Sequence, residues 1–150
     1  MDPITLAYIA GFLDGDGSIF FQIVKRKDYL RRFQIRSSIA FYQKTEQSWI
    51  LSWLKEQLGA GYIRHRKTGI SDYTVVGSGE VKGILLLLQP YVKLKRKQLE
   101  LSLPILQNLE NLQSNADFLE ACKMVDKFKN LNYSKKRSIT HATVSESLPL

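Results

Sequence analysis

Asp14 and Asp16, separated by one glycine, are the residues of this chain whose type and spacing point most directly to chemistry. They follow an apolar stretch that predicts the end of a helix, where the macrodipole disfavours carboxylates by about 0.3–1 kcal/mol each. Gly11 and Gly15 are four residues apart and form a side-chain-free strip on that helix, which another backbone can approach closely. Two acids at the unfavourable end of a helix, beside such a strip, indicate a metal site built at an interface.

Two other kinds of site could place acids and glycines in this order. An EF-hand loop that begins at Asp14 requires glycine at its sixth position and glutamate at its twelfth, but Ile19 and Lys25 stand there. A phosphate-binding loop requires a Gly-Lys-Ser/Thr sequence, which this stretch lacks. For Asp14 itself, capping or solvation of the helix end is favoured over catalysis.

The charge of the chain indicates a polyanionic partner. The formal net charge is +8 and the pI is about 9.6. Basic residues cluster within the ranges 25–36, 64–67, 93–97 and 135–137. Clusters of one sign that are separated along the chain favour one nucleic-acid-binding face over charge that serves only solubility.

Length and composition limit the class of protein. A chain of 150 residues, 44% of them hydrophobic, predicts one globular domain over residues 1–150, with a polar tail from about residue 131. No stretch approaches the roughly 18 apolar residues needed to cross a bilayer, so no membrane partner is expected. The single Cys122 cannot form an internal disulfide, which favours a reducing intracellular compartment. Whether that compartment is an organelle (chloroplast or mitochondrion) or a prokaryotic cytoplasm stays open.

The periodicity of apolar residues predicts the elements that hold these groups. Asp2 and Pro3 begin a helix that should run to about Gly15 and stop at Gly17. Alternating residues then predict two β-hairpins, formed by residues 18–26 with 33–41 and by residues 61–66 with 71–76, the second around the turn 67–69.

Helical spacing predicts the other elements. Thr45 can cap a second helix, which ends at Gly59, and a third helix follows Ser78. A fourth helix begins after Lys95 and should kink or break at Pro104. Asn115 can cap a fifth helix. The aromatic residues expected in the core are Trp49, Trp53, Phe118 and Phe128. The order α-β-β-α-β-β-α with extra C-terminal helices predicts an α+β fold, in which helices cover one face of a four-stranded antiparallel sheet.

The uncovered face of that sheet would carry polar side chains: Gln22, Arg26, Gln34, Arg36, Arg64, Arg66, Asp72 and Thr74. A solvated face explains why they are polar, but not why arginine and amide groups predominate. Arginine matches O6 and N7 of guanine, and glutamine matches N6 and N7 of adenine, in the major groove of DNA. Base recognition is therefore favoured over simple solvation.

Residues 9–17, with the sequence IAGFLDGDG, resemble the signature of the LAGLIDADG homing endonucleases, and the motif occurs once. Residues 43–45, 59–64, 71–73 and 89–95 are similar to segments of homodimeric members of that family. The resemblance implies an αββαββα saddle whose antiparallel sheet lies in the major grooves of DNA. The turn at residues 67–69 is one residue longer than in some relatives, which leaves the base preference of Arg66 open.

The resemblance also implies site residues. Asp16 corresponds to the acid that binds a divalent ion, Mg²⁺ or Mn²⁺, and the backbone carbonyl of Gly15 to a supporting ligand. Gln43 and Lys95 match positions that border the active site, where they order or polarise the hydrolytic water. One aspartate per site is sufficient if DNA completes the coordination shell, because Mg²⁺ keeps waters and takes phosphate oxygens as ligands.

One motif per chain implies that two chains must meet to cut two strands. Ala7, Gly11 and Gly15 would form the contact strip of this homodimer. A strand of about nine residues at roughly 3.3 Å each covers about nine base pairs, so the expected target is a pseudo-palindrome of roughly twenty base pairs. Besides the sheet face, the residues expected against DNA are Tyr29, Lys97, Lys135 and Lys136.

These observations predict a site-specific endonuclease that makes metal-dependent double-strand breaks during intron homing. Two alternatives stay open. One is an intron RNA maturase on the same scaffold, and the other is a DNA-binding protein that does not cut. The intact Asp16 favours the nuclease, because splicing assistance does not need a metal-binding acid.

Overall fold

The computed structural model of the chain describes residues 1–132 and 138–149. The elements follow in this order: α1 (Pro3–Asp16), β1 (Gly17–Lys25), β2 (Phe33–Lys44), α2 (Trp49–Leu58), β3 (Tyr62–His65), β4 (Ile70–Val76), α3 (Ser78–Leu88), α4 (Arg96–Glu110), α5 (Asn115–Asp126) and α6 (His141–Ser147). Short 3₁₀ turns at Thr45–Gln47 and Lys127–Asn130 precede α2 and follow α5. None of the helices within the described ranges has the length and apolar character needed to cross a membrane.

The four strands form one sheet in the order β1-β2-β4-β3. β4 pairs antiparallel with both β2 and β3, which places Phe41 opposite Tyr73 and Arg64 opposite Asp72. Because side chains alternate along a strand, the aromatic pair and the charged pair lie on opposite faces. The predicted α+β class and four-stranded antiparallel sheet are confirmed.

Contacts divide the chain into two compact units, and the first comprises Met1–Phe20 with Ser37–Leu99. In this unit Leu13 of α1 is fully buried, and the rings of Phe41 and Tyr73 stack with their centroids 5.7 Å apart. α1 contacts α3, while α2 and α3 contact β4. The helices of this unit therefore pack against the aromatic face of its strands.

The second unit comprises Phe21–Arg36 with Glu100–Leu150. Phe21 packs against Phe128 with 5.1 Å between ring centroids, Val125 is fully buried, and α5 contacts α6. The organisation of residues 1–150 as one domain stays a prediction.

Two predicted helix starts are wrong. Thr45 does not cap α2, because its hydroxyl contacts the hydroxyl of Ser71 at 2.9 Å and the chain makes a 3₁₀ turn before α2 begins at Trp49. Asn115 does not cap α5 either, since Ser114 accepts the N–H of Asp117 and occupies the cap.

Of the kink or break predicted at Pro104, the break is absent, since α4 continues from Arg96 to Glu110 with Pro104 inside it, and the kink stays a prediction. A proline removes one hydrogen bond to the carbonyl four residues earlier. Pro104 and Glu100 are both exposed, so water can satisfy that carbonyl and the helix continues.

Candidate active site and nucleic-acid interface

The junction between α1 and β1 requires glycine for reasons of space. α1 ends at Asp16, and Gly17 follows in an extended conformation, with its N–H donating to the carbonyl of Leu13. A Cβ at Gly17 would lie 2.9 Å from the backbone oxygen of Ala40 and 2.8 Å from the side chain of Leu13. The last glycine of the motif therefore lets β1 start directly against β2 and holds the end of the helix in place.

The carboxylate of Asp14 is bound by backbone N–H groups. Its carboxylate accepts the N–H groups of Lys93, Leu94 and Lys95 at 2.8, 3.0 and 3.0 Å. Burial would raise the pKa of Asp14, but these three hydrogen bonds and the charge of Lys95 together lower it below its usual value. The expectation that Asp14 serves capping rather than catalysis agrees with this geometry, although the groups it caps lie before α4 and not in α1.

Asp16 is different in that its carboxylate is exposed and makes no hydrogen bond or ion pair with residues 1–132 or 138–149. Nor does the same part of the chain bring together three or more His, Cys, Asp or Glu side chains that could enclose an ion. A cation here would have to draw most of its ligands from water and from outside the chain. That arrangement fits Mg²⁺, which retains waters, and does not fit a structural zinc site.

Lys95 lies at the same helix end as the two aspartates. Its Nζ donates to the backbone carbonyl of Asp14 at 2.9 Å. The last carbonyls of a helix lack partners within the helix and carry partial negative charge, so an ammonium group is favoured there. Lys95, predicted to act in catalysis, therefore contacts a residue that lies two positions before Asp16 in α1.

Gln43 lies near the end of β2, opposite Ser71 of β4. Its Oε1 accepts the N–H of Lys44 at 2.9 Å. Within the described ranges no hydrogen bond joins Gln43 to Asp16 or Lys95. The amide nitrogen of Gln43 has no partner among these residues and can donate to another group.

The predicted contact strip is an open surface. Ala7, Gly11 and Gly15 are exposed, and a Cβ at either glycine would meet nothing within 4 Å. Ile4 and Tyr8 on the same helix are 83% and 52% exposed. A helix that leaves small and apolar residues uncovered has a surface suited to packing against another chain.

The expectation that Trp49 is a core residue is wrong, since it is 65% exposed. Trp49 stands at the first position of α2, and its indole N–H donates to Oε1 of Gln47 at 2.9 Å. Together with Ile4, Tyr8 and the half-buried Trp53 it lines an apolar groove. Phe118 and Phe128, by contrast, are core residues as predicted.

The polar face of β3 and β4 is organised around one buried carboxylate. Asp72 accepts from Nε of Arg66 at 2.8 Å, from Nε and Nη2 of Arg64 at 3.3 Å, and from the hydroxyl of Thr74 at 2.7 Å. Burial would raise the pKa of Asp72, but the hydrogen bonds from Thr74, Arg66 and Arg64 lower it overall. The guanidinium of Arg64 also lies over the ring of Tyr62, 5.6 Å from its centroid.

Asp72 and Thr74, both predicted to contact DNA, are buried on this face, whereas the side chains of Arg64 and Arg66 are 52% and 50% exposed. The arginines cover the carboxylate, and their side chains are the exposed part of this cluster. Asp72 and Thr74 therefore hold the arginines rather than face a ligand.

In the second unit, the strands and the loop between them carry the remaining polar residues of the predicted interface. Nε of Arg26 donates to Oε1 of Gln34 at 3.0 Å, while Gln22 and Tyr29 are exposed and Arg36 is half-buried with a partner of its own. Among the predicted phosphate contacts, Lys97 is exposed in the first turn of α4, and Lys135 and Lys136 lie outside the described residues.

Two tyrosines of the first unit were missed by the sequence analysis. Tyr62 neighbours Arg64 on β3, and Tyr42 lies opposite Asp72, with its hydroxyl 3.3 Å from that of Ser18. The period of two along β2 and β3 places both on the polar face, but the predicted strand ended at residue 41, and Tyr62 was not among the polar residues assigned to that face.

An exposed aspartate at the end of α1 and two arginines oriented by a buried carboxylate fit a protein that acts on nucleic acid. The model of a family described as LAGLIDADG endonuclease matches residues 9–103. The chain belongs to this family, and the resemblance drawn from the motif is confirmed.

Two curated relatives are similar over nearly the whole chain. DNA endonuclease I-CvuI of Chlorella vulgaris is 40% identical over 147 residues, which are 98% of this chain and 91% of that protein. DNA endonuclease I-CreI of Chlamydomonas reinhardtii is 41% identical over 140 residues, covering 93% and 85% of the two chains.

Solved structures agree with these relationships. Two crystal structures of homing endonuclease I-CvuI match with a TM-score of 0.91 and 40% identity, over 96% of this chain and 92% of that one. One contains its target with 2 mM Ca, and the other contains the I-CreI target, uncleaved, with 2 mM Mg. The archaeal enzyme I-Vdi141I, at 20% identity and a TM-score of 0.83, shares the fold.

Proposed function

We propose that this chain is a site-specific DNA endonuclease of the intron-homing kind, which acts as a homodimer and hydrolyses phosphodiester bonds with a divalent ion. The observation that carries the proposal is the difference between two neighbouring acids. Three backbone N–H groups bind the carboxylate of Asp14, whereas the carboxylate of Asp16 is exposed and unpaired among the described residues. The curated relatives of similar length are DNA endonucleases, which supports the same activity here.

Asp16, with the backbone carbonyl of Gly15, would hold the divalent ion, Mg²⁺ or Mn²⁺. The bound ion supplies a Lewis acid for the phosphate and a water of lowered pKa. The structures of I-CvuI with Ca and with Mg support a divalent ion, and the exposed single carboxylate favours Mg²⁺ over ions that need several protein ligands.

The other residues of the site would act through charge and hydrogen bonding. The ammonium of Lys95, bound to the end of α1, provides positive charge where negative charge develops on the scissile phosphate. The amide nitrogen of Gln43 can donate to the attacking water, because the amide oxygen already accepts the N–H of Lys44. Lys95 would therefore stabilise the developing charge and Gln43 would orient the attacking water, and neither residue is proposed to bind the ion.

The presence of one metal-binding aspartate per chain predicts that the protein acts as a homodimer. One chain supplies one Asp16, and a double-strand break requires two such centres. The uncovered strip of Ala7, Gly11 and Gly15 lets the α1 helices of two copies approach closely, which would bring the two Asp16 carboxylates together near the symmetry axis. A symmetric dimer requires a pseudo-palindromic target, and strands of about nine residues at roughly 3.3 Å each give a length of roughly twenty base pairs.

DNA recognition would rest on the exposed arginines and amides, with basic residues on the backbone. Arg64 and Arg66 present guanidinium edges that match guanine in the major groove. Gln22 of β1, Gln34 and Arg36 of β2, and Arg26, which directly follows β1, would contribute to base recognition. Tyr29, Lys97, Lys135 and Lys136 would contact the phosphate backbone or the groove edges.

The test combines a plasmid library of randomised targets with the purified chain and Mg²⁺. The wild type should produce defined double-strand breaks in a small set of sequences. Asp16→Asn should bind the recovered duplex as tightly as the wild type but lose cutting, since an amide is a poor ligand for Mg²⁺. Asp28→Asn is the matched control, because it removes the same charge from an exposed loop.

The outcome separates this proposal from its two alternatives. Selective binding of intron RNA without breaks in any duplex would support a maturase. Selective binding of a duplex that stays intact with Mg²⁺ and Mn²⁺ would support a non-cleaving DNA-binding protein. Cutting by Asp16→Asn at the rate of the wild type would remove Asp16 from the chemistry.

A further inference from the structure

Asp14 binds the segment around Lys95 at two separate points. Its side chain accepts the backbone N–H groups of Lys93, Leu94 and Lys95 at 2.8–3.0 Å. Its own backbone carbonyl accepts the side-chain ammonium of Lys95 at 2.9 Å. Lys95 is therefore held at its main chain and at its side-chain tip by one residue, which lies 81 positions earlier in the chain.

The geometry of these contacts restrains Lys95 strongly. Charge-assisted hydrogen bonds from backbone N–H groups to a carboxylate are roughly twice as strong as neutral ones. Three consecutive N–H groups that converge on one carboxylate define the path of the loop immediately before α4 begins at Arg96. Binding of the ammonium to a helix carbonyl then limits the several rotatable bonds of the lysine side chain, which would otherwise be flexible.

The same residue is rigidly connected to Asp16. Asp14 and Asp16 belong to the last turn of α1, and the fully buried Leu13 and the close-packed Gly17 hold that turn against the core of its unit. A shift of Asp14 would move both the Asp16 carboxylate and the Lys95 ammonium, whereas a rupture of its contacts would free Lys95 alone.

We infer that Asp14 is a positioning residue of the active site, which fixes the Lys95 ammonium relative to the Asp16 carboxylate through its contacts with residues 93–95. This inference rests on the proposed function for Asp16 and Lys95. It assigns Asp14 no contact with DNA or with a metal ion. Its effect on cleavage passes entirely through Lys95.

The experiment is a double-mutant cycle between Asp14→Ala and Lys95→Ala in the full chain. The probe is the duplex recovered from the plasmid library by wild-type protein. Single-turnover cleavage is measured with Mg²⁺, and affinity for the same duplex is measured with Ca²⁺. Asp117→Ala is the matched control, since Asp117 also accepts a backbone N–H, that of Gln113, but in α5.

Asp14→Ala should leave affinity unchanged and slow cleavage by on the order of tenfold to a hundredfold, the effect of a catalytic group displaced by about 1 Å. The double variant should be no slower than Lys95→Ala, because the two residues act as one unit. Asp14→Asn should recover part of the rate, since an amide oxygen still accepts one or two of the N–H groups. Asp117→Ala should cut like the wild type.

Hydrogen exchange of the backbone amides of residues 93–95 adds a measurement that does not depend on activity. These amides should lose protection in Asp14→Ala and keep it in Asp117→Ala. Unchanged protection in Asp14→Ala would overturn the inference, as would wild-type cleavage by that variant or rate losses that multiply in the double variant. Wild-type protein that cuts no duplex would instead overturn the proposed function.

Discussion

Nε of Arg66, in the turn that follows β3, donates to the buried carboxylate of Asp72 on β4 at 2.8 Å. Arg64 donates to the other oxygen of the same carboxylate, so one buried charge orients two exposed guanidinium groups. Groups that are oriented before binding lose less conformational entropy when they meet a ligand. The contacts with Asp72 therefore preorganise the two arginines for recognition of a ligand.

Replacement of Arg64 by alanine should remove a contact to a base. We expect Arg64→Ala to cost about 1–3 kcal/mol of binding free energy and to relax the preference at one position in each half-site. Binding to a library of single-base target variants measures this. Lys67→Ala, in the exposed turn between β3 and β4, serves as the control. A uniform loss over all sequences would reassign Arg64 to a phosphate.

The Asp72 carboxylate should make stability depend on acid pH. The pKa of Asp72 in the folded chain is lowered. The stabilising effect of its carboxylate is therefore complete above the pKa of the unfolded state, near 4, and is lost as the pH falls through the lower pKa of the folded state. The difference in free energy of unfolding between the wild type and Asp72→Asn should therefore shrink as the pH is lowered from about 5 into the acid range. Urea unfolding across that range measures it, with Asp28→Asn as a control for net charge. A constant difference would contradict the depressed pKa.

A bulky residue on the contact strip should prevent assembly. Gly11→Leu adds a side chain where two copies of α1 would meet, and it should yield a folded monomer, because leucine favours a helix over glycine by about 0.8 kcal/mol. Sedimentation equilibrium and circular dichroism measure mass and fold. Gly83→Leu is the matched control, at another exposed position within a helix with open space around it. A normal dimer mass for Gly11→Leu would refute the proposed interface.

Even a single methyl group at Gly17 should lower the free energy of unfolding. A Cβ there would approach the carbonyl of Ala40 to 2.9 Å, and backbone cannot yield as a flexible side chain can. Overpacking of this kind typically costs 1–3 kcal/mol, so the urea midpoint of Gly17→Ala should fall. Gly83→Ala, in open space on a helix, should instead stabilise by about 0.5–1 kcal/mol. Equal stability of Gly17→Ala and the wild type would show that the strand can shift.

Much of the fold could be predicted because its signals are local. The change of period at residue 18 separates α1 from β1, and Gly69 marks the turn of the second hairpin. The predicted cap at Thr45 was wrong because the distant Ser71 competes for its hydroxyl, whereas the cap predicted at Asn115 was one residue off because the neighbouring Ser114 occupies it. The prediction that Trp49 is buried was wrong, because an apolar residue at the start of a helix is covered only if another element reaches it.

By itself, the sequence determined the family, the order of helices and strands, and the pair of acids at the end of α1. These depend on residue type and spacing over fewer than about twenty positions. The resemblance already favoured Asp16 over Asp14 as the metal ligand, but only the tertiary structure decided which groups Asp14 binds and which polar residues of β3 and β4 are buried. The partners of Asp14 lie 79 to 81 residues away, and Asp72 is covered by Arg64 of β3 and by Arg66 in the turn that follows it. Such contacts are set by how the backbone is folded in space, and periodicity along the chain carries no record of them.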